Sequence, residues 1–367
     1  MAVLEIDCNG PGLRRRRAGK GFTYLDEDGQ RIPDEAIVDR IRSLAIPPAW
    51  EDVWICSDPD GHIQATGLDA KGRRQYRYHD EWRAARDRAK HDRILRFAKA
   101  LPELRSQVAA DIDLPGVPLE RVLACAVRLL ELGFFRIGGE PYAEENDTYG
   151  LATLQKKHVR VRRDVLEFDY DAKSGQHRLC QVVDPDVRAI IVTLRRRRAP
   201  ADAKLLAYED GRRWVDIRST DINEYIQTHI GDEFTAKDFR TWVGTVLAAA
   251  GLAAQEPAGS ETASKRVVTQ VVMDVAEHLG NTPAVARSAY IDPRVVERFE
   301  ADDTVLDALA DVDLDDLEQG IPEELEVAVL ELIDRARRRR VRDRARRPPR
   351  PSREVRGRRR ASAGPAA

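Results

Sequence analysis

The sequence predicts an α+β protein: a small antiparallel sheet domain followed by a larger, mainly helical one. Three observations lead there. The first 80 residues are rich in strand formers broken by hairpin turns. Helical periodicity takes over from Asp80, and a second β stretch interrupts the helices near residue 160. With 367 residues, 42% of them hydrophobic, the chain can build two domains and a real core.

The elements follow in order. "FTYLDEDGQRI" sets strand residues on both sides of a Glu-Asp-Gly turn. In "DVWICSDPDGHIQATGLDAKGRRQYRYH" the alternation breaks at Asp60-Gly61 and Lys71-Gly72, two hairpin signals. "DEWRAARDRAKHDRILRFAKALPEL" reads as a charged helix with an apolar stripe at Ile94, Phe97 and Ala98, and the domain break is expected inside or just before it. "PLERVLACAVRLLELG" reads as a more buried helix stopped at Gly133. "HVRVRRDVLEFDYDAKSGQHRLCQVV" reads as two strands joined by a turn at Lys173-Ser174-Gly175, with mostly helices after it as far as Phe299. The expected division is a β-rich domain over 1–90 and a mainly helical one over 91–299. An acidic helical extension over 300–334 and a disordered, low-complexity tail over 335–367 complete it.

The net charge of −2 conceals a segregation. Residues 300–334 hold 14 acids and no Lys or Arg, whereas 335–360 hold 15 Arg against only Asp343 and Glu354. The body before them is nearly neutral, so total charge identifies no partner and local placement must decide. The four cysteines, Cys8, Cys56, Cys125 and Cys180, lie far apart and form no C-x-x-C pair, which speaks against a zinc site or a disulfide framework. "MAVLEIDCNG" lacks the apolar run of a signal peptide, and the longest uncharged apolar stretch, residues 242–254, is too short to span a bilayer. A reducing cytoplasm is the expected setting. There is no G-x-x-x-x-G-K-[ST] loop and no H-E-x-x-H. "DVDLDD" lacks the Gly and spaced Glu of a calcium loop, so no metal and no cofactor are expected.

Near residue 280 the chain reads "HLGNTPAVARSAYIDP". Thr282-Pro283 and Asp292-Pro293 are each an N-cap followed by proline at the first helical position. A short helix over 283–288 and a new one from 293 are predicted, with Tyr290 in the gap between them. Other polar residues stand out less. Arg136 in "FFRIGGEPY" follows two Phe and precedes glycines that let backbone approach a ligand. Lys173 sits at a hairpin tip. Arg240 lies in the first turns of a helix capped by Thr235 and Asp238, and His278 near a helix end. Thr148 as an N-cap, with Lys156 and Lys157 at the far end, offers a phosphate contact. In "RRQYRYHDEW" Arg73, Arg74 and Arg77 alternate with Tyr76 and Tyr78, a pattern that grips a nucleic-acid backbone or decorates an ordinary exposed strand. Singly, each fits an ordinary surface or core residue.

As an ordered set they do not. An Arg in "FRIGGEPYAEENDTYGLATL", a Lys in "DAKSG", an Arg in "KDFRTW", a His in "EHLGNTP" and a Tyr in "RSAYIDP" together resemble the type IB DNA topoisomerases in their short bacterial and poxvirus-like form. "RRQYRYH" and "IPPAW" extend the resemblance over residues 21–299. It implies a helical catalytic domain of the DNA breaking–rejoining, tyrosine recombinase-like type, with the two domains clasping a duplex. Tyr290 would be the nucleophile that forms a 3′-phosphotyrosyl link and later releases it. Arg136, Arg240 and His278 would stabilise the transferring phosphate, and Lys173 would protonate the leaving 5′-oxygen. The resemblance also implies DNA contacts from Arg73, Arg74, Gln75, Tyr76, Tyr78, Tyr142, Lys156 and Lys157. It implies a cytoplasmic monomer at the bacterial nucleoid, acting on double-stranded DNA with neither ATP nor metal. Relatives usually carry Gly before the hairpin Lys; here Ala172 stands there. Two rivals stay open at this point: a tyrosine recombinase, which would need specific sites and multimers, and a non-enzymatic DNA-binding protein using the Arg tail.

Overall fold

The structure is a computed structural model that describes residues 3–139, 147–255, 260–310, 312, 317 and 320–346. It forms two compact units, 1–94 and 95–367.

The first unit is built on a five-stranded antiparallel sheet, in the order β2-β1-β3-β4-β5. The strands are β1 (Leu13–Ala18), β2 (Gly21–Leu25), β3 (Glu51–Ile55), β4 (Ile63–Leu68) and β5 (Arg74–Tyr78). Helix α1 (Glu35–Ser43) starts where the Asp34 carboxylate accepts the Ala36 N–H at 2.8 Å. Leu13, Val53, Ile55 and Ala65 pack with its Ile41, and Trp54, Cys56 and Ile63 form a second cluster. Strand β1, "LRRRRA", escapes a reading by hydrophobic alternation because its centre is four arginines. One of them, Arg15, donates to the carbonyls of Ile46, Pro47 and Trp50 and so fastens the "IPPAW" loop to the sheet.

Helix α2 (Asp80–Ile112) runs from the first unit into the second. There follow α3 (Leu119–Glu131) and a three-stranded antiparallel sheet of β6 (Val159–Arg162), β7 (Val165–Ala172) and β8 (Gln176–Val182). The sequence predicts two strands here; the structure has three, because the chain also turns between Arg162 and Val165. Helix α4 (Pro185–Arg196) precedes a hairpin of β9 (Ala207–Asp210) and β10 (Arg213–Asp216), in a stretch expected to be mostly helical. At four residues each, and charged, those strands lack a readable period. The remaining helices are α5 (Ser219–Ile230), α6 (Ala236–Ala253), α7 (Glu261–Leu279), α8 (Pro283–Ala289), α9 (Pro293–Phe299) and α10 (Glu323–Arg346). Among the described residues no helix is long and apolar enough to cross a membrane.

Helix α6 is buried on almost every side, as its alanine-rich sequence allows. Phe239 meets Phe97 edge-on at 4.9 Å, and Phe97 also meets Phe234 at 5.6 Å. Each such pair contributes about 0.5–1.5 kcal/mol beyond the area it buries.

The acidic segment is part of this core. In α10, Leu325, Val329, Leu332, Ile333 and Ala336 are all buried, at helical spacing. Glu326, 6% exposed, accepts from Trp242 Nε1 at 2.7 Å and from both terminal nitrogens of Arg105 at 2.5 and 3.1 Å. Arg105 Nε donates to Glu131 at 2.6 Å. The tail is expected to be disordered from 335, yet α10 continues through Arg346. Arginine is a good helix former, and the buried first turns supply the nucleus. Glu326→Ala should destabilise the protein by about 3 kcal/mol, since it strips Arg105 and the indole N–H of a buried partner. Thermal unfolding with an unchanged Tm would refute this.

Candidate active site

The site gathers at the end of α7. The last carbonyls of any helix lack intrahelical partners, and here three arginines from three elements supply them. Arg178 of β8 donates to Glu277 O at 3.0 Å and His278 O at 2.7 Å. Arg240 of α6 reaches Leu279 O at 2.6 Å, and its other terminal nitrogen reaches Gly133 O, also at 2.6 Å. Arg136, in the segment after α3, donates to Gly280 O at 2.5 Å and Asn281 Oδ1 at 2.8 Å. His278 Nε2 lies 2.9 Å from the carbonyl of Leu132; a carbonyl only accepts, so this nitrogen carries the proton. The end of α3 and the end of α7 are thereby laced together.

Tyr290 is set by the two caps predicted beside it. Thr282 caps α8 by accepting the Val285 N–H, and Asp292 caps α9 by accepting the Arg294 N–H. Asp292 also pairs with the Arg294 guanidinium at 2.6 Å, both buried. Tyr290 ends α8, its N–H bonded to Ala286 O at 3.0 Å. Thr245 of α6 donates to Tyr290 O and accepts the Asp292 N–H, which ties this junction to α6. The half-buried phenol ring lies under the Arg240 guanidinium, 5.3 Å from ring centre to Cζ.

Electrostatically the site wants an anion. Arg240 is 3% exposed, and its Nε finds no hydrogen-bond partner among the described residues. Burial, and then the charge of Arg136, press its pKa down to about 10, with Tyr290 opposing the shift. Burial likewise lowers Arg136, against Tyr290 and Tyr170. Both stay charged at neutral pH, so two guanidiniums held partly out of water face one phenol. A phosphate placed there would gain far more than it would in bulk water.

Lys173 is exposed, in a single turn of 3₁₀ helix (Lys173–Gly175) between β7 and β8. Ala172 before it is extended (φ −93°, ψ 179°), so glycine is not required there; Gly175 takes the left-handed position at φ +70°. The structure thus joins Arg136, Arg240, His278 and Tyr290 at one helix end, and carries Lys173 on a hairpin whose Arg178 touches that end. Arg178 has no signal in the sequence, where "HRL" reads as an ordinary outward charge on a strand.

Other expectations are corrected. Gly138 is read from sequence as room for a ligand, but that room is taken by the chain itself: a Cβ there would lie 2.9 Å from Gly150 Cα. Thr148 caps no helix; two 3₁₀ turns, Leu151–Thr153 and Lys156–His158, follow it, the first capped at Gly150. Lys156 is buried, its Nζ donating to Arg197 O and Ala199 O at 2.8 Å each, so it braces a loop where a phosphate contact is expected. Lys157 is exposed. Tyr142 and most of "DVDLDD" lie outside the described residues, and among those described no cluster fit for a metal ion occurs.

In the first unit, β5 forms one edge of the sheet. Tyr76 and Tyr78 stack at 5.9 Å, Tyr78 stacks on Trp82 at 4.5 Å, and Arg86 lies over the indole at 5.3 Å. Arg73 and Gln75 both bond Asp69, whose carboxyl is held down to about 2, chiefly by the Arg73 hydrogen bond. Arg74 and Tyr76 are exposed on the same face.

An antiparallel sheet unit followed by a mainly helical one fits the DNA breaking–rejoining class that the sequence resembles. Residues 79–307 match the family described as "Eukaryotic DNA topoisomerase I, catalytic core", and residues 21–69 match "Bacterial DNA topoisomerase IB, N-terminal domain". The DNA topoisomerase 1B of Acanthamoeba polyphaga mimivirus is 30% identical over 296 residues, 79% of this chain and 88% of its own. That of vaccinia virus (strain Copenhagen) is 25% identical over 260 residues, 68% and 76% of the two chains. The chain belongs to the type IB DNA topoisomerases.

Proposed function

We propose that the protein relaxes supercoiled double-stranded DNA as a monomer, by cutting and resealing one strand through Tyr290. The observation that carries this reading is the Arg240 guanidinium, buried over the Tyr290 ring with an unpartnered Nε and with Arg136 beside it. In this reading the Tyr290 oxygen attacks phosphorus, and its proton leaves to solvent. The bond to the 5′-oxygen breaks, Lys173 protonates that oxygen, and a 3′-phosphotyrosyl ester remains. One ester replaces another, so resealing is the same step reversed and needs no nucleotide. Arg136 and Arg240 hold non-bridging oxygens, as planar guanidiniums do well. His278 exchanges the Leu132 carbonyl for another such oxygen. The Tyr76–Tyr78 edge with Arg74, together with Lys157, meets backbone and bases, so binding weakens steeply with salt. A cytoplasmic, nucleoid-associated location accords with such a substrate.

The test is incubation with supercoiled plasmid of arbitrary sequence in EDTA, with a denaturant to trap adducts. Relaxation with protein bound to the 3′ side of the nick is expected. Binding without relaxation or adduct would overturn the enzymatic reading, and activity restricted to one sequence in a multimer would favour a recombinase.

A further inference from the structure

The hairpin that carries Lys173 touches the rest of the site through a residue that the proposed reaction does not use. Arg178 stands opposite Tyr170 in the β7–β8 register, five residues beyond Lys173. Tyr170 turns into the core, where it stacks on Phe135 at 6.3 Å. Arg178 reaches to α7 and binds the carbonyls of Glu277 and His278. Its guanidinium also lies against Gly280. A Cβ at that residue would sit 2.9 Å from Arg178 Nη1, and Gly280 is left-handed at φ +59°. Glycine thus serves there both as the helix stop and as the floor for the guanidinium. The same turn holds Arg240 at Leu279 O and Arg136 at Gly280 O.

We infer that Arg178 is a positioning residue that sets the Lys173 hairpin against the α7 turn, and so places the general acid relative to the other four residues. Phe168, Tyr170 and Ala172 are buried and Asp171 O accepts the Tyr149 N–H at 2.8 Å, so β7 is held up to the turn, where Lys173 and Gly175 are exposed. Two bonds to consecutive carbonyls, from a planar donor seated on a bare backbone, fix both the distance and the tilt of that tip. Without them β8, the strand that leaves the tip, would lose its tie to the α7 turn. Misplacement of a reacting group by about 1 Å costs on the order of 10²-fold in rate.

This rests on the reading of Lys173 as proton donor, and the test separates the two. Single-turnover cleavage is measured for wild type, Lys173→Ala, Arg178→Ala and the double variant. Each is assayed on a normal substrate and on one with sulfur at the 5′-bridging position, which leaves without a proton. Arg178→Ala should be slowed about 10²-fold on oxygen and restored to near wild type on sulfur. The double variant should be no slower than Lys173→Ala alone, because Arg178 acts through Lys173. A merely structural role would slow both substrates equally, or add to the Lys173 loss, and would overturn the inference. Should sulfur fail to rescue Lys173→Ala itself, the general-acid reading falls and this inference with it. Rescue of Lys173→Ala but not of Arg178→Ala refutes the inference alone. Should Arg178→Ala lose its cooperative unfolding transition, Arg178→Gln, which keeps a donor, carries the same measurement.

Discussion

Tyr290→Phe leaves DNA binding within about 0.5 kcal/mol of wild type and yields neither relaxed plasmid nor trapped adduct. The structure makes this substitution a clean one. Phenylalanine keeps the ring under Arg240, 5.3 Å from Cζ. The backbone that Thr245 and Ala286 hold at this position is indifferent to the hydroxyl. Only the oxygen that the proposed reaction needs as its nucleophile is removed. Filter binding at several salt concentrations and a denaturing-gel trap check the two halves. Any adduct formed by the variant would mean that another residue is the nucleophile.

Arg240→Lys slows cleavage by about 10²–10³-fold, the range seen when one donor to a developing oxyanion is lost, although the charge is kept. One ammonium cannot span what the guanidinium spans: Gly133 O on one side, Leu279 O on the other, and an Nε left over. Lysine that keeps one carbonyl leaves the other unpaired and buried, at a cost of about 1–3 kcal/mol. Cleavage and Tm should therefore fall together. A variant with near wild-type cleavage would show that charge alone suffices, and that the fork geometry is incidental.

Some of this site is written locally and some is not. The caps around Tyr290 are local chemistry: a side-chain oxygen, then proline, twice. They place the two helix starts and the gap before any tertiary contact is known. The Thr235–Asp238 capping box is legible for the same reason, with Asp238 accepting the Thr235 N–H at 2.9 Å. Arg240, two residues on, reads as a surface residue, since nothing local says that α6 is buried all round. Lys156 fails in the opposite sense. Its charge reads as phosphate-seeking, but its partners are carbonyls more than forty residues away. Arg178 is illegible for that same reason, its partners lying about one hundred residues ahead. Strand β1 and the β9–β10 hairpin were hidden by arginine content and by shortness.

The partnership of Trp242 with Glu326 also bears on synthesis. Arg240 and Trp242 are made first and Tyr290 follows, but the carboxylate that receives the indole N–H comes 84 residues after Trp242. On a ribosome, Tyr290 emerges well before α10 can close over the helix that carries Arg240. The unit that would cut DNA therefore reaches its full packing only after the tyrosine has been made, which delays a competent nicking centre until α10 has emerged as well. Ribosome-bound chains stalled before and after α10, compared by limited proteolysis of α6, would show protection only in the longer chain; equal protection in both would disprove the delay.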